Sequence, residues 1–359
     1  MNQLVAITQP YVPAYRVPLF SAVAEKLMPH GLDLKVYSAR PSGTQARRGD
    51  TASGPWHQEI STRNLRIGRW SIQSRDTPDA FRAAAVLISE LEALNATAWR
   101  DTLRSRPTVL WGHGKGFVNA TGKVSDFVES VLAARADHVM TYSPEGREYL
   151  LRSGRVSPSS VTSIGNSTDT VTLRRATAAG LSDPSLVTPS ARHALYVGGL
   201  DRSKRIDFLL EAYEEGLRID PDFRLTVVGM GEEVGRVQAH AEKFNGMRYV
   251  PEARGERLAK LGLEASAMWI PGRVGLVAVD ALAMGLPVHT TDYPFHAPEI
   301  GFLRDNEVAY LGPDAARFAA DSLQLMDEAG SKRLRDDIPT IESVAENMVT
   351  VVLDVLGRT

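Results

Sequence analysis

The chain has no cysteine in its 359 residues, which rules out a disulfide framework and thiolate metal sites. It also lacks any apolar run near the ~20 residues that cross a bilayer, so no transmembrane helix is expected. Its opening, MNQLVAITQPYVPAY, has neither the basic start nor the small-residue cleavage site of a signal peptide and reads as a first core strand. Cytoplasmic residence fits these absences. A large net charge is missing as well. The total is −2, but residues 1–175 carry +7 and the remainder −9. A basic half suits an anionic partner, such as a phosphorylated acceptor or an acidic inner-membrane surface met peripherally, and scattered arginine on solvated faces produces the same count. No nucleic-acid partner is expected.

What is present describes a soluble globular protein. Hydrophobic residues make up 43% and charged residues 23%, ordinary values. The length is comfortable for two domains of roughly 100 to 200 residues. Short apolar runs at Leu4–Thr8, Leu34–Ser38, Ala84–Ser89, Thr108–Trp111 and His138–Tyr142 read as strands. Amphipathic stretches lie between several of them, the clearest at Lys123–Ala134, where Phe127, Val128, Val131 and Leu132 share a face. The glycine-containing stretch from Pro41 to Thr62 reads as a mobile surface loop. Residues 176–191, rich in Ala, Ser, Thr and Pro, read as a linker between domains at 1–175 and 192–338. Strands at His193–Val197, Phe223–Val228 and Met247–Val250 follow, with a helix through Phe208–Tyr213. Strand and helix alternate throughout, which predicts an α/β fold of two doubly wound, Rossmann-like domains with parallel sheets. The closing helical segment, 339–359, has no strand after it and is expected to pack across the domain junction.

Chemistry concentrates in four places. The first is PGRVGLVAVDALAMGLPVHTTDYPFHAPE, Pro271 to Glu299. There Gly272 and Gly275 make a turn after the apolar run Met268–Ile270, and Leu276, Val279, Ala283 and Leu286 follow at helical spacing. A helix opening from such a turn presents unpaired amides that attract phosphate, and Asp280 lies within reach of a ribose. The second is YVGGLDRSKRIDFLLEAY, where Arg202, Lys204 and Arg205 crowd a helix start whose dipole disfavours cations unless an anion joins them. The third, LWGHGKGF, holds His113 between glycines at a strand end, where α/β proteins gather ligands. The fourth is the loop bearing Tyr11, Tyr15 and Arg16, an aromatic and cationic surface that suits a sugar or phosphorylated acceptor, or the packing of a domain interface. A Gly229-Met230-Gly231 turn resembles a truncated dinucleotide fingerprint and is equally a tight strand-to-helix turn.

In this order the segments resemble a retaining glycosyltransferase of the GT-B type, most similar to the nucleotide-sugar-dependent family 4. The resemblance runs over nearly the whole chain. It implies two Rossmann-like domains facing each other across a cleft, the first binding the acceptor and the second the nucleotide sugar. It implies sugar transfer from a UDP- or GDP-linked donor to a sugar, lipid-linked or other hydroxyl acceptor in polysaccharide, glycolipid or glycoconjugate synthesis, with neither metal nor other cofactor. By resemblance Lys204 meets the donor diphosphate, Val274, Gly275 and Leu276 offer it amides, His113 lies beside the transferred sugar, and Asn166 to Asp169 lead to the linker. Gly199, Arg202, Arg205, Gly229, Arg273 and Asp280 complete the expected donor site, and Tyr11, Tyr15 and Arg16 the acceptor side. His113, Lys204 and Glu299 are the expected catalytic residues.

The departures are specific. The family motif pairs two glutamates, and this chain has Gly272 at the first position and Asp280 at the second. Gly199 stands where an arginine is usual. Glu299 is the candidate to replace the first glutamate. A sugar-nucleotide epimerase of related architecture and a non-catalytic nucleotide-sugar binding protein are the alternatives.

Overall fold

The computed structural model describes residues 2–41, 46, 51–68, 70–114, 122–183, 192–328 and 332–358. The chain divides into two compact units, Met1–Asn166 with Ile341–Thr359, and Ser167–Thr340. In the first, the strands are β1 (Gln3–Gln9), β2 (Leu32–Ser38), β3 (His57–Glu59), β4 (Thr62–Ile67), β5 (Trp70–Arg75), β6 (Val86–Glu90), β7 (Thr108–Gly112), β8 (His138–Thr141) and β9 (Val161–Ser163). Seven of them form a sheet in the order β3-β2-β1-β6-β7-β8-β9, parallel at every pairing. β4 and β5 pair antiparallel as a separate ribbon.

Strand alternation divides the sheet's side chains between two cores. Val5 and Ile7, Val86 and Ile88, and Val109 and Trp111 face a cluster with helix Val17–Leu27 and helix Ile341–Val355. Their neighbours Ala6, Leu87 and Leu110 face clusters on the other side. Apolar side chains on both faces explain why these strands read as short continuous apolar runs.

The second unit has strands β10 (His193–Val197), β11 (Arg224–Val228), β12 (Met247–Val250), β13 (Ala267–Trp269), β14 (Val288–Thr290) and β15 (Val308–Tyr310). They form a six-stranded sheet in the order β12-β11-β10-β13-β14-β15, parallel throughout.

Four expectations change. The division falls after Asn166, and residues 176–181 are not linker but the end of helix Thr170–Leu181. Asp169 caps that helix by accepting the Thr172 amide at 3.1 Å, and Gly180 is buried where a Cβ would stand 2.1 Å from Leu263 Cδ1. Residues 184–191 lie outside the described residues. The closing helix belongs to the first unit, where Ile341, Val344, Ala345, Met348 and Val352 bury an i, i+3, i+4 face in its core.

The stretch Pro41–Thr62 is not wholly loop. Trp56 is 5% exposed, its ring centroid 5.0 Å from that of Phe20, and its Nε1–H donates to Ser21 Oγ at 3.2 Å, which brings β3 alongside β2. In helix Gly122–Ala133, Leu132 is buried but Phe127 is 52% exposed beneath the Arg155 guanidinium, 4.5 Å from its ring centre. Among the described residues no helix is long and apolar enough to cross a membrane.

Candidate functional site

In the second sheet the chain goes from β10 to β11 on one side and returns to β13 on the other, so a topological switch point lies between β10 and β13. Ligands of open α/β sheets collect outside the carboxyl ends of such strands. The two loops leaving those ends are the two motifs that stood out in the sequence, Gly198–Arg205 and Ile270–Leu276. They touch through backbone. The Arg273 amide donates to Ser203 O at 2.9 Å, and Lys204 Nζ donates to Arg273 O at 2.6 Å. A Cβ on Gly272 would stand 2.5 Å from both Ser203 O and the Lys204 carbonyl carbon. Gly272 is therefore the residue that lets the loops meet.

Helix Val277–Met284 starts from this contact, and its N-cap Leu276 supplies no side-chain cap. The amides of Gly275, Leu276 and Val277 precede the first intrahelical donors, the Ala278 amide, which bonds Gly275 O, and the Val279 amide, which bonds Leu276 O. The Val274 amide differs, because it donates to His296 Nδ1 at 3.1 Å. His296 Nε2–H donates in turn to Thr291 O at 3.0 Å. Burial, the largest influence, lowers the His296 pKa, which favours the neutral ring this pair of bonds requires. The Ala297 amide donates to Val274 O at 2.8 Å and carries Glu299, 3% exposed, into the same neighbourhood.

Asp280 lies in the first turn of that helix. Its Oδ1 accepts from Thr168 Oγ1 at 2.6 Å. Burial pushes its carboxyl up to about 6, against the opposing influence of the Thr168 bond and the Arg254 charge. This group changes charge near neutrality.

The cations are distributed differently from the expectation of an anion held among all three. Arg205 Nη1 donates to Thr291 Oγ1 at 3.0 Å, and its guanidinium lies 4.1 Å from the centre of the Phe208 ring. Thr291 Oγ1 donates to Pro271 O at 2.7 Å. Arg205 has φ 52°, the left-handed region, a strained conformation for a side-chain-bearing residue. Lys204 and Arg205 thus tie the first loop to the second, and Arg202 alone of the three is exposed. Gly199 has its carbonyl held by Tyr196 OH at 2.7 Å. Gly229 is explained by packing, since a Cβ there would stand 1.9 Å from Gly198 O. Thr291 and His296 have no spacing signature of their own, and only the fold shows that they brace the turn.

The first unit has its own switch point, between β1 and β6. His113 follows β7, its ring centroid 4.8 Å from that of Tyr142. Its carbonyl would be 2.2 Å from a Cβ on Gly146, so His113 is seated against helix Pro144–Arg152 by a backbone approach that glycine permits. Arg16 is 9% exposed rather than open to a ligand. It donates to Gln9 Oε1 and, at 2.8 Å, to Tyr142 OH, and its guanidinium lies 4.5 Å from the Trp111 ring centre. Tyr11 is buried at 8%, and Tyr15 is half-buried with its ring centre 5.8 Å from the Arg16 guanidinium.

Residues 191–328 match the family model described as Glycosyl transferases group 1, a segment lying wholly within the second unit. No curated protein matches the chain. Among solved structures, the sucrose-phosphate synthase of Thermosynechococcus elongatus is similar at 16% identity and TM-score 0.63, covering 100% of each chain. HepE of Anabaena in complex with UDP is similar at 12% identity and TM-score 0.60, covering 99% of this chain and 100% of that one. UDP-GlcNAc 2-epimerase of Methanocaldococcus jannaschii is similar at 12% identity and TM-score 0.59, again covering 99% and 100%. The shared fold is the α/β arrangement of GT-B glycosyltransferases and epimerases, with parallel sheets in two Rossmann-like halves.

Proposed function

We propose that the chain transfers a sugar from a nucleotide diphosphate sugar, UDP- or GDP-linked, to an acceptor hydroxyl with retention at the anomeric carbon and without a metal. The observation that carries this reading is the uncapped start of helix Val277–Met284, placed by the Gly272 contact at the switch point of the unit that matches the family model. The amides of Gly275, Leu276 and Val277 would receive the diphosphate, where fixed dipoles stabilise charge as it develops on the leaving oxygen. The bond from the anomeric carbon to that oxygen breaks, a bond to the acceptor oxygen forms on the same face, and the acceptor proton passes to the leaving phosphate. Lys204 keeps the turn in register through Arg273 O and adds positive charge near it. His113 and Glu299 remain the proposed partners of the transferred sugar.

Thermal shift with uridine, guanosine, thymidine and adenosine diphosphate sugars tests the donor. A ligand at about 100 times its Kd adds about 2.7 kcal/mol of native stability. A chain that no nucleotide sugar stabilises is not this enzyme. Lys204→Ala is expected to lower initial rates on the order of 100-fold, as loss of one fixed donor to an oxyanion does, and a near wild-type rate refutes its role. Full rates in excess chelator are expected, and their loss overturns metal independence. Incubating donor alone separates transfer from epimerisation, since an epimerase converts the donor with no acceptor present.

Asp280 is proposed to hold the ribose. A carboxyl whose folded pKa is raised binds more protons folded than unfolded between about 4 and 6, so its ionisation lowers stability as pH rises through that window. Asp280→Asn keeps an acceptor for Thr168 and is expected to raise stability at pH 8 by on the order of 2 kcal/mol. The same variant is expected to bind the nucleotide more weakly and to lose the wild-type gain in affinity between pH 5 and 8. Titration calorimetry with UDP across that range checks it, and an unchanged affinity removes Asp280 from the site.

A further inference from the structure

Helix Gly122–Ala133 carries its side chains in the reverse of the usual order for a surface helix. Val124, Phe127, Val128 and Val131 stand at i, i+3, i+4 and i+7 and so form one apolar stripe. The stripe faces outward. Val124 is 69% and Phe127 52% exposed, while Val128 and Val131 are half-buried. Among the described residues none of the four joins a hydrophobic cluster of the fold. The polar side chains find their partners on the protein side instead. Asp126 accepts from Tyr149 OH at 2.7 Å, and Glu129 accepts from the Ala93 backbone amide. Ser130, 4% exposed, donates to Phe127 O at 2.7 Å, and Leu132 and Ala133 seat the helix in the core.

Single exposed apolar side chains are ordinary, but four along one open helix face form a surface that a partner would cover. The surroundings of the stripe indicate which partner. The Arg155 guanidinium lies 4.5 Å from the centre of the Phe127 ring, and that of Arg152 lies 5.9 Å from the centre of the Tyr149 ring. Arg135 stands in the turn that ends the helix, and all three arginines are exposed. The acids Asp126 and Glu148 are already bonded, to Tyr149 OH and to Arg147 Nη1 at 3.0 Å. An apolar stripe with an arginine margin matches a bilayer surface with anionic headgroups. Aliphatic and aromatic side chains enter the acyl boundary there, while guanidinium groups stay among the phosphates. A second copy of this chain fits less well, because a two-fold contact over the stripe brings two arginine margins together.

We propose that helix Gly122–Ala133 docks the first unit on an anionic membrane surface, with Val124, Phe127, Val128 and Val131 in the interface and Arg135, Arg152 and Arg155 on lipid phosphates. This gives a structural element to the peripheral contact that the basic first half suggests. It is independent of the donor site, whose residues at the Gly272 turn belong to the other unit.

Co-sedimentation of the full chain with vesicles tests it, using phosphatidylcholine alone and a two-to-one mixture of phosphatidylcholine and phosphatidylglycerol. Binding to the mixed vesicles is expected to be tighter by about tenfold, and to weaken as salt rises from ~0.1 to ~0.5 M. Val124→Ser/Phe127→Ser alters exposed positions and is expected to weaken binding about tenfold, with circular dichroism and urea midpoint unchanged. Arg152→Gln/Arg155→Gln is expected to weaken it about fivefold per arginine. No binding to the mixed vesicles, equal binding to both kinds, or unchanged binding by the Val124→Ser/Phe127→Ser protein overturns the proposal. So does a dimer in sedimentation velocity that this variant dissociates, since a second copy then covers the stripe.

Discussion

Gly272→Glu is expected to cost stability and donor binding together, rather than to restore the acid that the family motif has at that position. The added Cβ would stand 2.5 Å from Ser203 O and the Lys204 carbonyl carbon and 2.7 Å from Lys204 Cα, all backbone atoms. Backbone at a loop contact cannot rotate aside as a side-chain tip can, so the loops must part. The bonds from the Arg273 amide to Ser203 O and from Lys204 Nζ to Arg273 O go with the contact. Overpacking of this kind costs about 1–3 kcal/mol, and each lost hydrogen bond about 1 kcal/mol more. We expect a loss of roughly 3–5 kcal/mol by urea unfolding, with Gly272→Ala showing most of it. Loss in Gly272→Ala separates the steric cause from the carboxylate. A Gly272→Glu protein of wild-type stability that turns over donor faster would show instead that the position is an empty catalytic slot.

Acidification from pH 7 to 4 is expected to unfold the second unit through two buried histidines. His193 and His289 are both held down to about 4 by burial. Their bonds give a reason for neutrality beyond desolvation. His193 Nδ1–H donates to Glu264 O at 3.0 Å, so Nε2 accepts from Thr226 Oγ1, whose oxygen already receives Arg248 Nε–H. Trp269 Nε1–H donates to Ser322 Oγ, which leaves the serine proton for His289 Nδ1 at 2.6 Å. A proton on either accepting nitrogen breaks its chain.

The sign follows from where the protons bind. A lowered histidine pKa means that the unfolded chain takes up protons first, so stability is present above about 6.5 and is lost as pH falls towards 4. Each histidine accounts for about 3 kcal/mol at the acid end. Asp280 works in the opposite direction over the same window, by on the order of 2 kcal/mol, and does not cancel two histidines. Urea midpoints at pH 7, 5 and 4 should fall steadily, and His289→Gln should flatten part of the slope. A midpoint unchanged at pH 4 would contradict both assignments.

Strand positions were legible because a parallel strand covered on both faces must be apolar on both. His193–Val197 and Met247–Val250 have the same bounds in the sequence reading and in the fold. The turn at Gly272 and Gly275 was legible as a place where backbone is bare. Its cause was not, since a glycine at a close approach and a glycine in a flexible turn look alike until the neighbour is known. Trp56 lies among polar residues, and only the parallel pairing of β3 with β2 makes it core. Arg16 reads as a ligand-facing cation from its neighbours in sequence, while its partners Gln9, Trp111 and Tyr142 come from the ends of three other segments.

By itself the sequence determined the alternation of strand and helix, the two-sheet α/β architecture, and the segments that carry chemistry, because periodicity and turn residues act over a few neighbouring positions. Tertiary structure alone decided what the charged and glycine residues do. It set Gly272 against the Ser203–Lys204 backbone, turned Lys204 and Arg205 inward as braces, gave the Val274 amide to His296, raised Asp280 to about 6, and returned the last helix to the first core. Such roles depend on which distant atoms arrive within hydrogen-bonding or van der Waals reach, and strand order and loop contact settle that where local pattern cannot.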